Sequence, residues 1–172
     1  MSMDNETLSQ FLDTLDRFVR ERLIPCETEV AENDAIPQAL AEEIRNMGLF
    51  GMSIPEAFGG LGLTMSEEVK AAFILGQASP AFRSLFGTNN GIGSQGIIID
   101  GTPEQREHYL PRLATGELIS SFALTEPDAG SDAGSLSTSA KRDSEHFVIN
   151  GTKRYITRSE ERRVGKECPL LC

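Results

Sequence analysis

Two histidines and three cysteines are all that 172 residues offer toward soft-metal ligation or triad chemistry. Cys26 stands alone, Cys168 and Cys172 crowd the carboxyl end, and His108 and His146 are far apart in the chain. Neither a disulfide framework nor a four-ligand metal set assembles from these, and the histidine beside Tyr109 reads as a surface or satisfied residue rather than a ligand. Long hydrophobic runs are missing too. None approaches the roughly 18 apolar residues that a membrane helix needs, so no helical span is expected. The amino terminus, Met1-Ser-Met-Asp-Asn-Glu-Thr, lacks both the basic and apolar regions of a signal peptide and the arginines of a transit peptide, which gives a cytoplasmic expectation. Positive charge is in deficit: 16 Lys and Arg stand against 26 Asp and Glu, a net of -10. That balance excludes a nucleic-acid backbone as partner. Residues 158–172 hold four of the basic and three of the acidic side chains, so the acidity belongs to the first 157 residues.

What is present is the composition of a soluble globular protein, 39% apolar with a mean hydropathy of -0.23. The length suits one domain, or one domain and part of another. Leu8, Phe11, Leu12, Leu15, Phe18, Val19 and Leu23 recur at helical spacing with charged residues between them, which predicts an amphipathic helix packed on a core. Pro25 should interrupt or kink it, with Glu27 to Asn33 as a polar extension. Pro37 predicts the first turn of a second helix through Met47, with Leu40, Ile44 and Met47 inward and Gly48 as its end. Ser53 to Gly62 is a turn-rich loop. Thr64 and Glu67 form a capping box for a helix running to about Ser79, whose inward face is expected at Val69, Ala72, Phe73 and Gly76.

Gly91-Ile-Gly-Ser-Gln-Gly96 satisfies the dinucleotide fingerprint literally, but it does not follow a strand and position 116, twenty past Gly96, is a glycine. Small residues in a closely packed helix are the better reading. Thr102-Pro-Glu-Gln105 opens a further helix to about Ala114, closed by Gly116.

From Leu118 the pattern changes. Leu118 to Leu124 reads as a buried strand that gives way at Thr125 to a loop of small and acidic residues, where Gly130 permits close backbone approach. His146 to Ile149, the pair Asn150-Gly151, and Thr152 to Thr157 read as a β-hairpin. Two threonine-tipped strand ends are thereby expected to converge on one flat, polar ligand.

The pattern Leu124-Thr-Glu-Pro-Asp-Ala-Gly-Ser-Asp132, followed by Asn150-Gly-Thr-Lys-Arg-Tyr-Ile-Thr157, resembles the flavin-binding signature of the acyl-CoA dehydrogenases in both order and spacing. With the helical segments upstream, the likeness runs from about Leu8 to Thr157. It implies an α+β chain: an all-helical N-terminal domain over residues 1–117, then the first strands of an incomplete β-barrel domain over 118–157. Residues 158–172 look like a translated sequencing adapter and are expected to be an artefactual or disordered tail.

The resemblance also implies a function, α,β-dehydrogenation of acyl-CoA thioesters with FAD as hydride acceptor, in fatty acid metabolism. By the family's pattern Phe122, Leu124 and Thr125 would line the flavin ring, with Gly130 in the same motif loop. Ser131 would sit where flavin meets the CoA substrate. Tyr155, at a position usually tryptophan, would pack on the ring, with Ile156 and Thr157 beside it. The family's general base lies beyond Thr157, so no catalytic residue is expected here, and Glu126 and Asp132 are expected to bond local N–H groups. The whole enzyme would pass electrons to an electron-transfer flavoprotein and form a homotetramer or homodimer. The oxygen-using acyl-CoA oxidases are a near variant of this reading. A non-catalytic flavin or acyl-CoA binding module and a helical interaction protein are the alternatives. Missing packing partners would leave apolar stripes and sheet edges bare, so the chain is expected to fold poorly or aggregate.

Overall fold

A computed structural model describes residues 3–157, and these divide after Ser120 into two compact units. The fold is mostly helical with a single two-stranded sheet, in agreement with the expected α+β class.

The helical unit opens with α1, Asn5–Phe18, whose first N–H groups are met by the Asp4 carboxylate at 3.0 Å from Glu6 and 2.9 Å from Thr7. Ahead of Pro25, which has no N–H to give, the helix widens into a π turn at Val19–Leu23 and then tightens into a 3₁₀ turn at Ile24–Cys26. It resumes as α2, Glu27–Asn33. Helix α3, Gln38–Asn46, follows Pro37, and Gly48 closes it at φ +74°. Leu15, Val19 and Leu23 are fully buried in one cluster with Ile44, Leu49, Phe50 and Phe86, as their helical spacing requires.

Helix α4, Met65–Leu75, begins at the expected box: the Thr64 N–H and hydroxyl both donate to Glu67 at 2.7 Å, which lowers the Glu67 carboxyl below its usual range. Its inward face is a correction to the sequence reading. Ala71 and Leu75 are buried, whereas Val69 is 46% and Phe73 78% exposed. Both stripes repeat at i and i+4, so periodicity alone does not choose between them. The helix also stops at Leu75, short of Ser79. Two short helices follow: α5, Pro80–Phe86, capped by Ser79 and not expected, and α6, Gln95–Asp100.

Residues 87–94 form a chain of turns, so of the Gly91–Gly96 stretch expected to be helical only Gln95 and Gly96 are, at the start of α6. Gly91 has φ +88°, and a Cβ on Gly93 would overlap the Ser120 hydroxyl, so these glycines serve turn geometry and close approach. Asn89, fully buried, donates to the carbonyls of Leu113 (2.9 Å) and Leu118 (2.8 Å) and accepts from the N–H of Ser120 (2.8 Å). Helix α7, Pro103–Ala114, starts at the Thr102–Gln105 box and contributes Leu110, Leu113 and Ala114 to a second cluster with Ile54 and Ile97. Among the described residues, no helix is long and apolar enough to cross a membrane.

In the second unit, strand β1, Ser139–Asp143, pairs antiparallel with β2, His146–Asn150, in the register Ala140 to Ile149 and Arg142 to Phe147. Two expectations are corrected here. Leu118 to Leu124 forms no strand, because no partner edge lies against it among the described residues. The hairpin turns at Ser144-Glu145, where Ser144 takes φ +56°, and Asn150 ends β2 instead of starting a turn. Neither Asn150 nor Gly151 has the positive φ that a type I′ turn demands. Gly151 is needed for another reason, since a Cβ there would overlap the Thr138 hydroxyl. The tail expected from residue 158 lies outside the described residues.

Candidate functional site

Residues 121–125 belong to no helix or strand, and their polar groups are used unevenly. The Thr125 carbonyl accepts the Arg154 N–H at 2.8 Å, and the Leu124 carbonyl accepts the Lys153 ammonium at 2.9 Å. None of the N–H groups of residues 121–125 finds an acceptor among the described residues. A row of backbone donors thus lies beside two engaged carbonyls, Leu124 and Thr125, an arrangement suited to an acceptor-rich edge of a ligand.

The chain then reverses. Glu126 and Ala129 exchange backbone hydrogen bonds at 2.9 and 3.3 Å around Pro127, which needs no donor there. This turn drives the Glu126 side chain inward to 2% exposure, where four donors meet it. Its Oε2 accepts the Ser137 N–H and hydroxyl, each at 2.7 Å, and its Oε1 accepts the Thr138 N–H at 3.0 Å and Lys153 Nζ at 2.9 Å. Ser137 first, then Thr138 and Lys153, hold this carboxyl far below the usual carboxylate range. Asp132 accepts locally, from the Gly134 N–H at 3.2 Å and the Ser135 hydroxyl at 2.5 Å. Both carboxylates therefore bond nearby donors, as expected from their place in the loop.

The expected ligand contacts fall at two places in this unit. Phe122 (47% exposed), Leu124 and Thr125 lie within residues 121–125, and Tyr155, Ile156 and Thr157 lie just past the backbone contact at Arg154. Tyr155 is 81% exposed with φ +58°, a conformation uncommon for a bulky residue, and the Arg154 guanidinium stands 4.9 Å above its ring. Gly130 and Ser131 are exposed at the outer edge of the turn, and a Cβ on Gly130 would meet nothing within 4 Å. The close approach expected at Gly130 is therefore not made by any described part of the chain. Sequence reasoning passed over Lys153. A partial signal was available, since the first motif carries Glu126, Asp128 and Asp132, the second Lys153 and Arg154, and the two were expected to converge.

Away from this unit, Cys26 is half-buried, and His108 is exposed with its ring edge-on to Tyr109 at 4.7 Å. Among the described residues no three His, Cys, Asp or Glu side chains converge as a metal site.

The family profile described as acyl-CoA dehydrogenase, N-terminal domain matches residues 5–117, and that of the middle domain matches 121–164, extending the likeness past Thr157 where the motif reading ended it. The chain is 36% identical over 161 residues to (2S)-methylsuccinyl-CoA dehydrogenase of Cereibacter sphaeroides, covering 93% of this chain and 29% of that protein. Among solved structures it is similar to an acyl-CoA dehydrogenase of Bacillus anthracis complexed with FAD, with a TM-score of 0.79 and 34% identity over 92% of this chain and 27% of that one. A chain from the electron transferring flavoprotein work on Acidaminococcus fermentans matches with a TM-score of 0.81 and 28% identity, over 92% of this chain and 43% of that one. The chain thus spans less than half the length of each of these relatives.

Proposed function

The chain belongs to the acyl-CoA dehydrogenase family, and from that premise we propose that residues 121–157 form one side of the FAD site of an enzyme that dehydrogenates acyl-CoA thioesters. The observation that carries the reading is the meeting of the two motifs at Arg154 and Thr125, 2.8 Å apart, beside a run of N–H donors that find no acceptor among the described residues. FAD, when bound, supplies the hydride acceptor for the reaction. The backbone donors of residues 122–125 and the Thr125 hydroxyl would hold the polar edge of its ring system. Phe122 and Tyr155, both exposed, would pack against the ring and exclude water, with Ile156 and Thr157 completing that contact. Ser131 would meet the CoA thioester where it adjoins the cofactor.

Proton removal from the substrate needs a base with lone pairs to offer. Glu126 is held by Ser137, Thr138 and Lys153, and Asp132 by its own loop, so neither is proposed as that base. A positioned base is worth about 10² to 10⁴ in rate, so we propose that the 172-residue chain binds flavin without appreciable dehydrogenation and is a fragment of the working enzyme. An electron-transfer flavoprotein would be the acceptor of the whole enzyme. The test is to purify the chain, titrate FAD while following flavin fluorescence, and assay acyl-CoA oxidation with an artificial acceptor. Saturable binding weakened by Thr125→Ala, with no turnover, is expected. Absence of binding, or turnover by the chain alone, would refute the reading.

A further inference from the structure

Lys153 is bound at two points that belong to different motifs. Its ammonium lies 2.9 Å from the Leu124 carbonyl and 2.9 Å from Glu126 Oε1, while the adjoining residue, Arg154, makes the backbone bond to Thr125. The Glu126 carboxylate is in turn fixed by Ser137 and Thr138 on the approach to β1. One buried carboxylate therefore ties the turn after 125, which pairs with neither strand, to both flanks of the β1–β2 hairpin, at 137–138 and at 153. Apolar packing does not do this work, since all ten positions of β1 and β2 are exposed and Ala129 is the one buried apolar residue described in the unit.

We propose that the Glu126–Lys153 ion pair is a register pin, a positioning device that sets residues 121–125 alongside 153–157 and so fixes the spacing of the donors and rings that face the flavin. The proposal rests on the flavin reading for its purpose, but not for its geometry. A buried pair with one member removed leaves an uncompensated charge, so loss of the lysine both unties the Leu124 carbonyl and disfavours burial of the carboxylate.

The experiment is rapid-quench hydrogen exchange on the full chain and on Lys153→Met, Lys153→Arg and Glu126→Gln. Within residues 151–157 the Arg154 N–H is the one amide with a backbone acceptor among the described residues, so protection of that peptide reads the register directly. Lys153→Met is expected to lose this protection while β1 and β2 keep theirs, and Lys153→Arg to retain most of it. FAD affinity is expected to fall about tenfold or more in Lys153→Met, with the double variant Glu126→Gln/Lys153→Met no worse than the weaker single one, because the two act as a unit. Unchanged protection of 151–157 in Lys153→Met would overturn the pin. So would simultaneous loss of protection across β1 and β2, which would make the pair a general scaffold contact. Should the unmodified chain fail to bind FAD, the flavin reading falls, and the pin is decided by the Arg154 amide alone.

Discussion

The Arg154 N–H donates to the Thr125 carbonyl at 2.8 Å, and this is the backbone bond that joins the two sequence motifs. It joins the first motif, at Thr125, to the residue that precedes Tyr155 in the second. The functional reading and the pin proposal both depend on it.

Protonation of Glu126 should be hard to achieve. Its carboxyl is held far below the ordinary carboxylate value of 4.5 by Ser137, Thr138 and Lys153. A depressed folded pKa stabilises at pH above the unfolded value, and the contribution is lost only as pH falls through the folded one. Local protection of residues 151–157 is therefore expected to persist when pH is lowered from neutral to about 4, where ordinary carboxylates titrate. Hydrogen exchange corrected for intrinsic rates measures this. Loss of protection already between pH 6 and about 5 would contradict it.

Asn89 is the polar hub of the helical unit, with both ends of its amide engaged and no surface exposed. Asn89→Leu should destabilise that unit by about 3 kcal/mol, because the Leu113 and Leu118 carbonyls and the Ser120 N–H lose their partner together. A shift of the urea midpoint, read by helical circular dichroism, tests the expectation. A variant as stable as the parent would refute it.

The exposed face of α4 predicts association. Met65 is 77% and Phe73 78% exposed, with Val69 between them. Phe73→Glu is expected to lower the concentration-dependent mass seen in sedimentation while changing unfolding free energy by less than about 0.5 kcal/mol, as an exposed substitution should. Unaltered association would show that other surfaces carry it.

Gly60 tests backbone packing. A Cβ there would overlap the Ile54 carbonyl oxygen, and it is main chain that would have to move. Gly60→Ala is expected to cost about 2 kcal/mol or more, against the small gain that alanine gives where space permits. Thermal unfolding decides the sign.

The helical unit was legible where a local signal has one structural meaning. Caps at Thr64 and Thr102, the interruption at Pro25 and the left-handed close at Gly48 each name a single geometry, and each is present. The Ser79-Pro80 start of α5 carried the same kind of signal and was passed over. Sequence was silent where two readings share a pattern: α4 has two stripes of helical period, and only packing selected Ala71 and Leu75. At the site, the motif residues were identifiable, but their pairing was not. Asn150-Gly151 usually marks a hairpin turn, yet tertiary contact with Thr138 claimed the glycine and moved the turn to Ser144.

The most direct measurement is hydrogen exchange of the chain with and without saturating FAD. The account predicts slowed exchange in two separate peptides, 121–125 and 153–157, with the helical unit unchanged. Slowing confined to one of the two, or found only within residues 3–120, would contradict it.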